Sequence, residues 1–297
     1  MIERLTARMY PFDHLIIIYC WIVIILTINF GRPIGDFAGA LTFHGGVIAL
    51  VLALVLGLPD QANRYLTFVR LLYPVMLMTF LYRATGDLMH LIYSQSIDYR
   101  IVALEKSIVG FDLTHWFDNH PYVALTELLS FGYFSYYLMM PGMALILFFK
   151  RRDADLRQFL TAACTAYSIS YILFMFIPAE GPRYFQMAEY ASNLPGVLFR
   201  PLVNFIIEAG AVRGGAMPSS HVAVAVVVLL FAIRRFHRRA YWLTPIVGLL
   251  FFGTVHGRFH YLSDALVGAV IGVGATWITL KFYPTRIEID REEDIPL

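Results

Sequence analysis

Charge is what this chain lacks most. Of its 297 residues only 15% are Asp, Glu, Lys or Arg, while 59% are hydrophobic, a balance foreign to water-soluble globular domains. So little charge cannot cover a chain of this length in water, and the sequence reads as an integral membrane protein. The net charge of +2 is too small and too dispersed to build a nucleic-acid surface, which excludes that partner class. Cysteine is scarcer still. Cys20 and Cys164 both lie inside apolar runs, where a thiol behaves as a small buried hydrophobe, so neither a disulfide framework nor a thiolate metal site is expected. Internal repeats, low-complexity tracts and Ser/Gly linkers are also missing, which favours one continuous membrane domain.

What the sequence does hold is a series of apolar runs, about eight of them, at roughly 14–30, 38–58, 66–84, 122–149, 158–178, 219–235, 240–257 and 261–282. Each is long enough to be weighed as a membrane-crossing helix. Because a bilayer offers no water to the backbone, the expected fold class is all-α, a polytopic helical bundle. The first run follows Arg4 and Arg8 as a signal peptide would, but no small-residue cleavage site follows it and a second run comes directly after, so it is expected to stay as a span.

Lys and Arg set the expected orientation. With the N-terminus inside, 15 of the 23 basic residues fall on inner segments, including "KRRDADLR" and "RRFHRR", as the positive-inside tendency asks. Three sequence-distant polar clusters then share the opposite, outer face: "PAEGPRYF" after the fifth run, "MPSSH" opening the sixth, and "GRFHYLSD" between the seventh and eighth.

Each cluster carries recognisable chemistry beside a plainer reading. Pro218 suits a first helical turn, and a helix starting there presents free amides, a positive dipole end and the hydroxyls of Ser219 and Ser220 to an anion. The plainer reading of the serines is helix capping, worth about 1 kcal/mol. His221 in the same turn is not needed for capping. His260 and Asp264 stand four apart, so on a helix the carboxylate can orient the imidazole and leave its other nitrogen as nucleophile or base; a structural His–Asp contact is the plainer alternative. Arg183 offers a bidentate, permanently charged partner to phosphate oxygens, or else a snorkelling interfacial cation.

The order Arg, then Pro-Ser-x-His, then His-x-x-x-Asp over the fifth to eighth runs resembles the type 2 phosphatidic acid phosphatase superfamily, which contains lipid phosphatases, phosphotransferases and vanadium haloperoxidases. The likeness covers residues 68–282, a six-span catalytic core. It leaves 1–67 as an N-terminal segment with two extra spans and 283–297 as a charged cytoplasmic tail. The 31 residues between His221 and Gly253 also suit the family's spacing.

The resemblance implies that His260 attacks phosphorus to form a phosphohistidine, that Asp264 orients it, and that His221 protonates the leaving oxygen. Arg183, Ser219 and Ser220 would hold the nonbridging oxygens. No metal and no cofactor is called for. The chain departs from the family pattern at Phe176 and Tyr184 around the first motif and at Gly253-Thr254 in the third, where an arginine usually stands; Arg258 or Arg213 are the candidates to replace it. "GPRY", "PSSH" and "HYxxD" look more like the branch containing inositol phosphorylceramide synthases.

The function expected is therefore that of an integral membrane lipid phosphatase or phosphotransferase acting on a phospholipid or polyprenyl phosphate, in the cell (inner) membrane with its site on the outer or periplasmic face. Transfer of a phospho-head-group to an alcohol is an alternative acceptor chemistry. An anion or lipid transporter is the non-enzymatic alternative, which would place its polar residues nearer mid-membrane. Three further features complete the reading. The connection 92–121 has an amphipathic middle and is either an interfacial lid or a surface loop. Glu127 is expected to face the bundle interior. Tyr133, Phe134, Tyr136 and Tyr137 read as helix packing or a substrate box.

Overall fold

Twelve helices and no strand make up the described residues of the computed structural model, which are 6, 8–31, 35–58, 63–190, 193–210 and 212–283. In chain order they are α1 (Pro11–Phe30), α2 (Phe37–Gly57), α3 (Arg64–Thr85), α4 (Asp98–Val109), α5 (Leu113–Asp118), α6 (Val123–Phe149), α7 (Asp153–Phe176), α8 (Pro182–Phe185), α9 (Phe199–Gly210), α10 (Ser220–Phe236), α11 (Leu243–His256) and α12 (Leu262–Phe282). The fold is thus the expected all-α membrane bundle. Seven helices are long and apolar enough to cross a bilayer. The expected run 240–257 is shorter than it read: a 3-10 turn takes His237–Ala240, and α11 has 14 residues, about 21 Å against a hydrocarbon core of about 30 Å. Most of the expected tail, 284–297, lies outside the described residues.

The helix α7 is the axis of the bundle. It is the most buried of the long helices and packs against α1, α3, α10 and α12. The other spans turn wide apolar faces outward, where Ile18, Ile25, Leu50, Val270 and Trp277 are exposed to the lipid position. The first span is tied to the third by a buried pair: Arg70 on α3 donates to both carboxylate oxygens of Asp13 on α1, which also accepts from the Tyr73 hydroxyl.

Two contacts determine where the polar clusters meet. Gly268 and Gly272 let α12 approach α10 so closely that a side chain at either would run into the carbonyls of Ser219 and Ala223, the small-residue packing that membrane helices use in place of a hydrophobic drive. At the far end of the same helices the basic residues gather. Arg235 on α10 pairs with Asp155 on α7 at 2.8 Å, and Arg64 pairs with Asp153 at 2.7 Å. α7 and α10 are therefore antiparallel, with the basic clusters at one end and "PAEGPRYF" and "PSSH" at the other.

Candidate active site

The turn that leaves α7 is pinned from several sides. Ala179 accepts from the Ala216 amide at 3.2 Å, and Gly181, at φ 86°, lets the chain swing so that Arg183 can donate its amide to the Arg258 carbonyl at 2.8 Å. A side chain at Gly181 would need that left-handed conformation and would also press on the Phe259 carbonyl. Arg258 itself is held at φ 65°, a conformation that costs a non-glycine residue about 1 kcal/mol or more and persists only where its surroundings enforce it.

The loop after α11 brings His260 to the same place. The Thr254 carbonyl accepts the amides of both Phe259 and His260, at 3.0 and 3.1 Å, which folds the chain back on itself between α11 and α12. His260 is buried, and its Nδ1 donates to the Ala216 carbonyl at 2.7 Å. A carbonyl can only accept, so Nδ1 carries a proton and, in the neutral ring, Nε2 keeps its lone pair. Asp264 was expected to fix this tautomer by the four-residue spacing. Its Oδ2 lies 3.7 Å from Nδ1 and accepts from the Tyr261 amide at 2.8 Å, so it supplies charge beside the ring while a backbone carbonyl supplies the hydrogen bond. Asp264 is also linked to the other motif, because its carbonyl accepts the Ser219 amide at 2.9 Å.

His221, in the first turn of α10, places its ring 5.8 Å from that of His260. Tyr133 stacks on it at 5.3 Å and offers a hydroxyl 3.3 Å from its Nε2, while Tyr136 packs at 4.4 Å. Its Nδ1 has no hydrogen-bond partner among the described residues. Tyr133, Tyr136 and Tyr137 on α6 therefore wall in an imidazole, while Phe134 packs on Phe199.

Two cavities share His221. A small one of about 40 Å³ is lined by Arg183, Glu180, Tyr133, His221, Phe259 and His260, among others. A larger one of about 370 Å³ runs between α3, α6, α7 and α9; Ser220, Tyr137, Tyr167, Met76 and Pro141 line it. The first is polar at its rim; the second is apolar with tyrosine hydroxyls, of which Tyr136 and Tyr167 bond to each other at 2.7 Å.

The remaining expected residues divide. The Ser219 hydroxyl accepts from the Val222 amide at 3.3 Å, the capping role the sequence also allowed. The amides of Ser220 and His221, at the start of the helix, have no carbonyl one turn behind them. Arg258 pairs with Asp118 and lies over the Tyr190 ring at 4.0 Å. Arg213 pairs with Glu180 at 2.8 Å and is well exposed.

Sequence reasoning missed the carboxylates that hold the site from 92–121. Asp98, at the start of α4, is buried and accepts from the amides of Glu180 and Gly181 and from the Tyr261 hydroxyl, all at 2.8 Å. Glu105 accepts the Ser263 amide and hydroxyl at 2.6 Å, and Asp118 takes Arg258. Asp112 fastens Gln186 at 2.8 Å; burial alone would raise its pKa, but hydrogen bonds from Thr114, Gln186 and His115 outweigh that and hold it at about 2. The only available signal was the amphipathic middle of 92–121, which reads in sequence as an interfacial lid or a surface loop. Glu127 also departs from expectation: instead of facing the interior it accepts the amides of Val197, Leu198, Phe199 and Arg200 at the start of α9, which satisfies a charge that lipid could not.

Among the described residues no group of three or more His, Cys, Asp or Glu gathers as metal ligands. Searches of the curated proteins and of the solved structures find no match to the chain. A family model does match. That of the PAP2 superfamily fits residues 100–278, more than half of the sequence and the stretch that contains Arg183, the Ser219–His221 turn, His260 and Asp264. The order of motifs, their meeting at one end of the bundle and this match agree, and the chain belongs to the PAP2 superfamily.

Proposed function

We propose that the protein removes or transfers the phosphoryl group of a lipid phosphate through a phosphohistidine on His260. The observation that carries this reading is the bond from His260 Nδ1 to the Ala216 carbonyl, because in the neutral ring it leaves Nε2 unprotonated beside a cavity that Arg183 and His221 also line. In the first step the Nε2 lone pair forms a bond to phosphorus, the phosphorus–oxygen bond to the lipid breaks, and His221 gives a proton to the departing oxygen. In the second step water attacks the phosphohistidine and loses its proton to His221; the nitrogen–phosphorus bond breaks, and inorganic phosphate leaves. Asp264 stabilises the positive imidazole that the first step creates. Arg183 and the amides at the start of α10 hold the nonbridging oxygens as charge builds on them.

Superfamily membership supports phosphatase or phosphotransferase chemistry in general; the lipid substrate is argued from the second cavity. Its 370 Å³ are lined by Met76, Ile207 and Tyr137 and meet the first cavity at His221, so a leaving group reaching past His221 enters apolar space. The orientation, with the site on the outer or periplasmic face of the cell membrane, rests on the basic clusters at the opposite end of the bundle. The same attack by an alcohol in place of water would yield the phosphate monoester of that alcohol; with a phosphodiester donor, whose head group stays on phosphorus when the bond to the lipid oxygen breaks, it would yield a new phosphodiester, the chemistry of the inositol-phosphorylceramide-synthase-like branch.

The test is phosphate release from long-chain lipid phosphates by the purified protein, with and without alcohol acceptors. Wild type should release phosphate, and His260→Ala should fall to background while keeping the wild-type melting temperature. Wild-type turnover by a well-folded His260→Ala protein would sink the mechanism.

A further inference from the structure

Arg200 is the second residue of α9, a helix that the sequence does not announce as part of any motif. Its backbone is held by the Glu127 carboxylate, and the buried face of α9 lays Val203 and Ile207 against Tyr133, Tyr137 and Phe259. Ile207 lines both cavities. The helix is thus a wall of the site, and Arg200 stands where that wall meets the residue beside His260: its guanidinium carbon lies 5.6 Å from the centre of the Phe259 ring.

Two of the three guanidinium nitrogens, Nε and Nη1, are sealed from solvent and have no hydrogen-bond partner among the described residues. The acid next to Arg200, Glu127, is engaged by four backbone amides, that of Arg200 among them. Arg183 is close enough to repel the guanidinium, and so is Arg258; after burial itself, these two charges hold the Arg200 guanidinium down to about 10. Two donors without partners, with the charge of Arg183 nearby and that of Arg258 already taken by Asp118, favour an anion at this corner.

We infer that Arg200 is a phosphate-binding residue, which holds a nonbridging oxygen of the phosphoryl group together with Arg183 while that group is next to His260. This rests on the phosphoryl-transfer reading above. It makes α9 a functional element and assigns the site a cation from outside the three sequence clusters. A guanidinium in this role offers two parallel donors to a phosphoryl oxygen pair, which a lysine cannot reproduce.

Orthovanadate, a phosphate mimic that takes up the trigonal-bipyramidal geometry, provides a readout independent of turnover. The melting temperature of the purified full-length protein should rise with orthovanadate, as linkage requires of a ligand that binds the folded state. Arg200→Met, which keeps the aliphatic stem against Phe259, should weaken orthovanadate binding about 10- to 100-fold and raise KM for the lipid phosphate alongside. Arg238→Met, an exposed control at the opposite end of the bundle, should bind as wild type does. If Arg200→Met fails to fold, Arg200→Lys carries the same comparison, with a loss of about tenfold expected. Wild-type orthovanadate binding by a folded Arg200 variant overturns the inference alone and leaves Arg200 as a packing residue. A wild type that neither binds orthovanadate nor releases phosphate overturns the phosphoryl-transfer reading, and the inference with it.

Discussion

The Asp98 carboxylate receives the Tyr261 hydroxyl at 2.8 Å although 163 positions separate the two residues. The same carboxylate holds the amides of Glu180 and Gly181, so one buried acid on α4 binds the turn that carries Arg183 to the turn that carries His260. The connection 92–121 is therefore neither a loose loop nor a simple lid. It is a brace, fastened at Asp98, Glu105, Asp112 and Asp118.

Removing that brace at its most buried point should be costly. Asp98→Ala leaves two amides and a hydroxyl without their acceptor, and a loss of about 3 kcal/mol is expected. Asp98→Asn, which keeps one acceptor oxygen, should lose less. Thermal melting in detergent checks the order, and a drop in kcat larger than in melting temperature at intermediate temperatures would mark the positioning role. Equal melting of all three proteins would refute it.

The two histidines should separate by leaving group. His221→Ala deprives the departing oxygen of its proton donor, a loss of about 10²- to 10⁴-fold on alkyl phosphates. Aryl phosphates with acidic phenols need little protonation and should recover much of that loss. His260→Ala should recover nothing on either. Identical losses on good and poor leaving groups in both variants would contradict the assigned roles.

Asp112 makes stability depend on pH in the acid range. Its folded pKa, about 2, lies below the ordinary carboxylate value, so the folded state binds fewer protons there than the unfolded one. The contribution is complete above about pH 4 and is lost as pH falls through about 2. In melting experiments wild type should exceed Asp112→Asn near neutrality, and the gap should narrow as the medium is acidified from about pH 4. A gap that stays constant over that range would show that the hydrogen bonds do not discriminate the ionised form.

Sidedness is open to direct labelling. Met187, near Arg183, and Arg238, among the basic residues, are both exposed. In a background lacking Cys20 and Cys164, a cysteine at Met187 should react with an impermeant thiol reagent from outside cells or spheroplasts, and one at Arg238 only after lysis. The reverse pattern would move the chemistry to the cytoplasmic leaflet.

The sequence by itself determined the fold class and singled out the polar residues that meet at one end of the bundle. Apolar runs of bilayer length admit only helices, since backbone groups in lipid must bond within their own segment. The imidazoles of His221 and His260, Arg183 and Asp264 were legible because polar residues at the ends of such runs stand out against them. Tertiary structure decided what each part touches. The proton of His260 Nδ1 is donated to the Ala216 carbonyl, a backbone atom with no side-chain signature, and α12 comes close enough to α10 to link Asp264 with Ser219 only because Gly268 and Gly272 have no side chains. The replacements expected for the missing arginine, Arg258 and Arg213, are paired with Asp118 and Glu180, whereas Nε and Nη1 of Arg200, beside Phe259, have no hydrogen-bond partner among the described residues. Charge pairing between residues far apart in the chain has no local period, so it becomes visible only when the helices are packed.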